Sequence, residues 1–284
     1  MKQPKIIAVG SSPLVAREIA TILSPILSPL PQLKTDTAAT GDICQPAKDT
    51  FYVCANTQGT RLQNIVPQEQ LFILRLQPTT RFFLDIAKIP AGETVYIFNN
   101  LLPYAKLLMQ ECQELGIDRL NFRPLAFEEM PEETVCQELS RVKWLIGVSP
   151  FVGKEILFSD RYRSYLRPDL KVIPGRRTAS VASASRFLAA LAHFYQRELQ
   201  QEKLPITTSA AEQSLASQTD QLTRQLQQAS LEIIKQQING PADEENIAAP
   251  ANLPKEGAPS PSMSEALKNL NYLVRRIERL AAAK

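Results

Sequence analysis

The sequence predicts an α/β protein with two flavodoxin-like (Rossmann-like) parallel-sheet lobes, followed by C-terminal helices and a disordered linker. Up to about residue 200, short apolar runs alternate with longer amphipathic stretches, which is typical of strands joined by crossover helices. Most of the apolar runs are continuous, as expected for parallel strands that are covered on both faces. These runs are also too numerous for one small sheet, and we therefore expect two lobes.

Seven strands and five helices are expected in this part of the chain. The strands are residues 5–10, 50–55, 71–76, 94–99, 119–124, 142–148 and 170–174. The helices are residues 13–23, 79–88, 101–115, 131–141 and 178–200. Pro90 and Gly92 mark a turn before a new strand, which indicates that a second lobe begins near this point. We assign residues 1–78, completed by helix 178–200, to the first lobe and residues 79–177 to the second.

The composition changes after residue 200. Residues 205–239 form a polar helix, in which Leu215, Leu222, Leu226 and Ile233 fit a short heptad stripe typical of a coiled coil. Residues 240–263 contain five prolines with small and charged residues, which predicts a flexible linker. Residues 264–284 form an amphipathic helix that Ser264 is expected to cap. Its apolar seam consists of Leu267, Leu270, Val274 and Ile277.

One short stretch occurs twice, as "VGSSPLVAREI" from Val9 and as "IGVSPFVGKEI" from Ile146. In both copies we expect a strand to end, a serine (Ser12, Ser149) to cap a helix, and a proline to occupy its first turn. Two explanations of this repeated stretch, which we call the echo, remain open. The two turns can share the same local chemistry without any function, or the chain can contain a duplicated strand–helix–strand unit. A different pairing competes with the duplication, in which "TFYVCANTQGTRL" (50–62) is the first-lobe counterpart of "WLIGVSPFVGKEI" (144–156).

Small polar residues gather where the predicted strands end. In open α/β sheets, ligands bind at the carboxyl ends of the strands and against helix N-termini, where free N–H groups favour a carboxylate or a phosphate. An arginine just past a strand end can clamp such a group with two hydrogen bonds. Each of these residues taken alone is also an ordinary cap, turn or surface residue. The candidate ligand-binding residues are Ser11, Ser12, Asn56, Thr57, Asn99, Asn100, Ser149 and Arg176.

We predict no catalytic residue, no metal site and no cofactor. The phosphate-binding glycine motifs and the nucleophile elbow are absent from the sequence, and His193 is its one histidine. None of the four cysteines lies in a C-x-x-C pair, so a zinc site is not expected. The net charge of +3 does not favour nucleic-acid or membrane binding. Without a signal peptide or a membrane-spanning run, we expect a cytoplasmic protein with reduced thiols.

Residues 79–116 carry a resemblance to a known family. The pattern consists of Leu84, Ile86-Ala87, Ile89-Pro90, Gly92, Val95 and Leu115-Gly116, with Ser149-Pro150 and Val172-Ile173-Pro174 later in the chain. This part of the sequence resembles the effector-sensing α/β domain of bacterial transcription regulators, of the PrpR N-terminal type or the sensor half of some GntR-type regulators. The resemblance implies two flavodoxin-like lobes that close on a small molecule in the cleft between them. We see no DNA-binding segment before residue 5 and no ATPase domain after residue 200. The resemblance therefore does not imply that this chain binds DNA directly.

The sequence thus leads us to expect a non-enzymatic, ligand-sensing regulatory protein. It would bind a small anionic metabolite and signal through its C-terminal helices, which shift as the lobes close. Residues 264–284 would contact a protein partner or a second copy of the chain. Two other hypotheses remain open: a scaffolding protein with a coiled-coil tail, and a Rossmann-like enzyme with an unrecognised site.

Overall fold

The computed structural model describes residues 2–203, 209–240 and 261–282. It is an α/β structure with two four-stranded parallel sheets flanked by helices, which confirms the predicted fold class. The chain divides into two compact units. Unit 1 contains the described residues up to Gln77, residues Thr178–Gln237 and the described residues after Gly240; unit 2 contains Pro78–Arg177 and Ile238–Gly240.

Strands and helices alternate along part of the chain, and three α-helices follow one another at its C-terminal end. The strands are β1 (Lys5–Gly10), β2 (Thr35–Ala39), β3 (Thr50–Ala55), β4 (Leu71–Leu74), β5 (Leu76–Pro78), β6 (Thr94–Asn99), β7 (Asn121–Ala126), β8 (Trp144–Val148), β9 (Lys171–Gly175) and β10 (Arg177–Ala179). The helices are α1 (Pro13–Leu27), α2 (Asn56–Leu62), α3 (Thr80–Ala87), α4 (Leu102–Glu114), α5 (Glu132–Leu139), α6 (Val181–Lys203), α7 (Ser209–Asn239) and α8 (Met263–Ala282).

The sheet of unit 1 has the order β2-β1-β3-β4, with every neighbouring pair parallel. Side chains of one face, such as Ile6 and Val53, pack into a core with α1 and α6. Side chains of the other face, such as Val9 and Cys54, pack against Leu62 of α2. The helices that follow β1 and β3 therefore lie on opposite faces of the sheet, which creates a crevice between these two strand ends.

The sheet of unit 2 has the order β7-β6-β8-β9 and is also fully parallel. Helices α3 and α4 cover one face, while α5 and the segment 151–162 cover the other. Strands β6 and β8 approach so closely that a Cβ atom at Gly147 would lie 2.3 Å from the Phe98 carbonyl oxygen. Glycine is required here because the backbone of β6 leaves no room for a side chain.

The sheet orders decide between the two pairings that the sequence left open. By position in the sheet, β1 of unit 1 corresponds to β6 of unit 2, and β3 corresponds to β8. The two copies of the echo lie at the ends of β1 and β8. These two strands occupy different positions in the strand orders of their sheets. The competing pairing of "TFYVCANTQGTRL" with "WLIGVSPFVGKEI" matches the observed topology, and a duplication in register with the echo does not.

The helix expected after Ser149 does not form. Residues 149–162 consist of turns and bends, whereas Ser12 and Pro13 open α1 as expected. The second copy has Gly153 where the first has Ala16, a change that costs a helix about 1 kcal/mol. Val152, Leu157 and Tyr162 are also buried in the core of unit 2, so tertiary packing overrides the local helix signal.

Several other expectations need correction. Strand β2 was not predicted, because "TDTAA" is an edge strand with no fully buried residue. The strand expected at 71–76 is divided into β4 and β5, and the three-residue strand β10 was also missed. Strands β5 and β10 pair in a small sheet of their own, and the division between the units falls within them.

The C-terminal helices belong to unit 1. The stripe residues Leu215, Leu222, Leu226 and Ile233 of α7 lie in the core of unit 1, together with Leu270, Val274 and Ile277 of α8. Helix α8 begins one residue earlier than expected and is capped by Ser262 rather than Ser264, since Ser262 Oγ accepts the Glu265 N–H at 3.3 Å. The predicted linker lies largely outside the described residues.

Candidate ligand site

The eight candidate residues all follow strand ends, four in each unit. In unit 1, Ser11 and Ser12 follow β1, and Asn56 and Thr57 follow β3. In unit 2, Asn99 ends β6 and is followed by Asn100, Ser149 follows β8, and Arg176 follows β9. Because parallel strands end at the same edge of a sheet, each group of four lies at the carboxyl edge of its own sheet. Strands β1 and β3, and likewise β6 and β8, are the neighbours at which the strand order reverses.

In unit 1, Ser12 acts as a helix cap. Its Oγ accepts the Val15 N–H at 3.4 Å, a long bond that satisfies one of the free N–H groups of α1. Ser11, Asn56 and Thr57 are exposed. The predicted residues of this edge thus comprise one cap and three solvated side chains.

Thr40 is a buried polar residue at this edge of unit 1 that was not predicted from the sequence. Its side chain is 3% exposed, and its Oγ1 lies 2.9 Å from the Gly10 carbonyl oxygen and 2.9 Å from the side-chain amide of Gln58. Thr40 therefore joins the ends of β1 and β2 to α2. Thr40 directly follows strand β2, so a prediction of β2 would have placed Thr40 at a strand end. That strand was not predicted from the sequence.

In unit 2, the two asparagines organise the loop after β6. Asn99 is 3% exposed, and its Nδ2 donates to Asn100 Oδ1 at 3.0 Å and to the Leu101 carbonyl oxygen at 3.1 Å. Asn100 Nδ2 donates to Glu128 Oε2 at 3.3 Å. These hydrogen bonds hold the ends of β6 and β7 together.

An acidic side chain occupies the N-terminus of α4. Glu129 Oε2 accepts the Leu102 N–H at 2.7 Å, where the helix dipole favours a negative charge. The anion position that we expected a ligand to use at this helix is thus filled by the protein itself. Glu128 and Glu129 were not among the residues predicted for the site, because their contacts join segments far apart in the chain.

Ser149 differs from the other candidates, because its hydroxyl oxygen is buried and yet has no partner in the described part of the chain. Its backbone N–H donates to the Gly175 carbonyl oxygen at 3.0 Å, which places it beside the end of β9 and hence near Arg176. Its Oγ is buried and forms no hydrogen bond with any of the described residues. A buried hydroxyl left unpaired costs about 1–3 kcal/mol, so a hydrogen-bonding group that reached Ser149 would stabilise this edge of unit 2.

The thiols and the histidine are not among the candidate residues, although Cys54 is the penultimate residue of β3. Burial raises the pKa of Cys54 and of Cys112 to about 12, so both thiols stay protonated and unreactive near neutral pH. His193 lies on α6, where it contacts Gln196 and Glu278 at 2.9 Å each. Among the described residues, no group of three or more histidine, cysteine or acidic side chains is placed to hold a metal ion.

Two surface depressions contain none of the eight candidate residues. One, of about 510 Å³, lies along α4 beside Glu129. The other, of about 760 Å³, lies in unit 1 between α6 and the amino-terminal side of β3 and β4, with Phe51, Phe72 and Phe194 among its lining residues. The candidate site is therefore defined by hydrogen-bonding groups at strand ends and by neither of these two depressions.

Comparison with known proteins adds no relative. No family model, no curated protein and no solved structure matches this chain. None of the helices in the described ranges is long and apolar enough to cross a membrane.

Proposed function

We propose that the protein is a non-enzymatic, ligand-binding regulatory protein. In this proposal a small carboxylate or phosphate binds at the carboxyl edge of the sheet of unit 2. The observation that carries the proposal is the buried Oγ of Ser149, which lies at the strand end next to β6 and has no hydrogen-bond partner among the residues that the structure describes. The regulatory role is supported by the resemblance to effector-sensing domains of transcription regulators.

The chemistry of this edge suits a ligand with oxygen acceptors. Ser149 Oγ can donate one hydrogen bond and accept others, and the nearby Arg176 has a guanidinium group whose geometry matches a carboxylate or a phosphate. Asn99 and Asn100 hold the neighbouring strand end in a fixed conformation through their own hydrogen bonds. A ligand would therefore meet a largely organised site, which lowers the entropic cost of binding.

Regulation requires that the ligand bind one conformation better than another. A new hydrogen bond to Ser149 contributes only about 0.5–1.5 kcal/mol to the difference in binding free energy between the two conformations. The rest of that difference would come from charge pairing with Arg176. Coupling free energies of 1–3 kcal/mol are typical of allosteric proteins, roughly the size that these two contacts supply.

A thermal-shift screen of the full chain tests the proposal. Small carboxylates, phosphates and nucleotides are added to the wild type and to the variants Ser149→Ala and Ser185→Ala. Ser185 is the matched control, because its Oγ is also buried and unpartnered but lies on α6 in unit 1. A ligand at about 100 times its dissociation constant adds about 2.7 kcal/mol of stability, enough to raise the melting temperature by several degrees.

We expect at least one ligand to stabilise the wild type and Ser185→Ala equally, and to stabilise Ser149→Ala by about 1 kcal/mol less, because one hydrogen bond to the ligand is lost. Without ligand, Ser149→Ala should be no less stable than the wild type, because the change removes an unpaired hydroxyl. A panel without any stabilising ligand, or a shift that Ser149→Ala leaves intact, would overturn the proposal and favour the scaffolding hypothesis.

A further inference from the structure

We propose that the exposed face of α8 is a docking surface for an acidic polypeptide segment. Four cations and a tyrosine share this face, which we call the basic face. All five side chains are exposed, and Tyr272 is 72% exposed. The basic face consists of Lys268, Tyr272, Arg275, Arg276 and Arg279.

Helical spacing brings these five residues into one patch. At 100° per residue, they fall within about 100° of the helix circumference, with Tyr272 between the cations. At 1.5 Å per residue, the patch extends roughly 16 Å from Lys268 to Arg279. Across residues 2–203, 209–240 and 261–282, none of the four cations forms an ion pair, so their charge is not neutralised within the described structure.

The opposite side of α8 fixes the helix in place. Its apolar residues, among them Leu270, Val274 and Ile277, are buried in the core of unit 1. Polar contacts with α6 reinforce this packing: Glu278 lies 2.9 Å from His193 Nε2, and Gln196 Nε2 donates to Asn271 Oδ1 at 2.8 Å. The basic face is therefore presented on an ordered helix, and a partner would not have to order it on binding.

The residue types indicate a protein partner. Three of the four cations are arginines, which form paired hydrogen bonds with carboxylates, and tyrosine and arginine dominate the energetics of protein interfaces. Tyr272 at the centre of the patch contributes nothing to the core, so folding does not explain its presence there.

Two further observations favour an acidic polypeptide over a nucleic acid. Glu265 lies one turn before Lys268 on the same exposed face. It would repel the continuous row of charges on a phosphate backbone, whereas a mainly acidic polypeptide can place a lysine or a neutral residue opposite it. The net charge of the whole chain is only +3, whereas a nucleic-acid-binding protein usually has a more extended basic surface.

A binding assay with a labelled acidic peptide tests this inference. The probe is a helix-forming peptide whose glutamates repeat every three or four residues, and duplex DNA of similar charge serves as the competing probe. Fluorescence anisotropy is measured on the full chain as wild type and as the double variant Arg275→Gln/Arg279→Gln. The matched control is Arg224→Gln/Lys235→Gln, which removes the same charge from two cations of α7 that are paired with Asp220 and Glu232.

We expect the peptide to bind the wild type and the α7 control equally, and to bind the α8 double variant about tenfold more weakly, the effect of losing two exposed charge pairs. Affinity should fall as salt is added, because exposed charges are screened. Tyr272→Ala should weaken binding at high salt as well, since its contribution is not electrostatic. Equal effects of the α7 and α8 variants, no binding of the peptide, or tighter binding of duplex DNA would each overturn the inference.

Discussion

Ser12 and Ser149 show how one residue type acquires different roles in similar sequence contexts. Both follow a buried strand and precede a proline, and local rules predict the same cap for both. Ser12 caps α1, whereas Ser149 precedes turns and has a buried hydroxyl that no group of residues 2–203, 209–240 or 261–282 partners. The difference arises after the serine–proline pair, from Gly153 and from the side chains that pack into the core of unit 2.

The cysteines give a second residue-scale result that labelling can test. Cys44 is exposed, whereas Cys54, Cys112 and Cys136 are buried. A thiol whose pKa is about 12 is ionised only at a level of about 10⁻⁴ at pH 8, and the thiolate is the reactive form. A maleimide should therefore label one thiol per native chain rapidly, and the other three only as fast as the protein unfolds.

Mass spectrometry of the labelled chain identifies the reactive thiol, and Cys44→Ser should abolish the rapid reaction. Labelling of Cys54 or Cys112 before unfolding would contradict the structure.

The same burial makes folding sensitive to alkali: an unfolded thiol ionises near its ordinary pKa of 9.0, while a folded Cys54 keeps its proton until about pH 12. The contribution of Cys54 to stability is complete below pH 9 and declines as the pH rises above it.

At the scale of the element, the start of α8 depends on which serine accepts a helical N–H. Ser262 Oγ accepts the Glu265 N–H, and the Ala266 N–H donates to the Ser262 carbonyl oxygen at 2.9 Å, so Ser262 is the cap. Ser264 lies inside the first turn and is exposed. The predicted start of α8 was one residue too late, and the cap was therefore assigned to Ser264 instead of Ser262.

The two serines make a matched pair of variants. Ser262→Ala should destabilise α8 by about 1 kcal/mol, because the cap is lost. Ser264→Ala should be neutral or slightly stabilising, since alanine has the higher helix propensity. Hydrogen exchange of the amides of α8 measures both effects directly, and equal exchange rates in the two variants would reject Ser262 as the cap.

Most central elements could be predicted, and the misses share a physical cause. The buried strands β1, β3 and β6 have the predicted bounds because each is a continuous apolar run between turn residues. Strand β2 escaped prediction because it lies at an edge and has few apolar side chains. Strands β5 and β10 are too short for a periodic signal and form because they pair with each other.

At the scale of the whole molecule, the two units differ in how the chain builds them. Both core clusters of unit 2 consist of residues between 78 and 177. The main core of unit 1 combines the sheet of residues 5–74 with side chains from α6, α7 and α8. Phe187, Leu191 and Phe194 of α6 cover the face that carries Phe51 and Val53, so the sheet of unit 1 depends on residues far along the chain.

Fragments of the chain test this dependence. Residues 78–177 expressed alone should melt in a single cooperative transition, because their cores are complete. Residues 1–77 alone should not, because the part of the apolar sheet face that α6 covers would be exposed to water. Circular dichroism follows both fragments, and adding residues 178–284 to residues 1–77 should restore the transition. Cooperative melting of residues 1–77 by themselves would contradict this account of the core.

The sequence by itself determined the α/β class, the central strands and the strand ends at which polar residues gather. These features follow from local apolar runs, turn residues and the geometry shared by all parallel sheets. Only the tertiary structure decided that β3 corresponds to β8, that Glu129 fills the N-terminus of α4, and that Ser149 Oγ is left without a partner. Each of these features depends on contacts between residues that are distant in the chain. A local sequence pattern does not predict which of these distant residues come into contact.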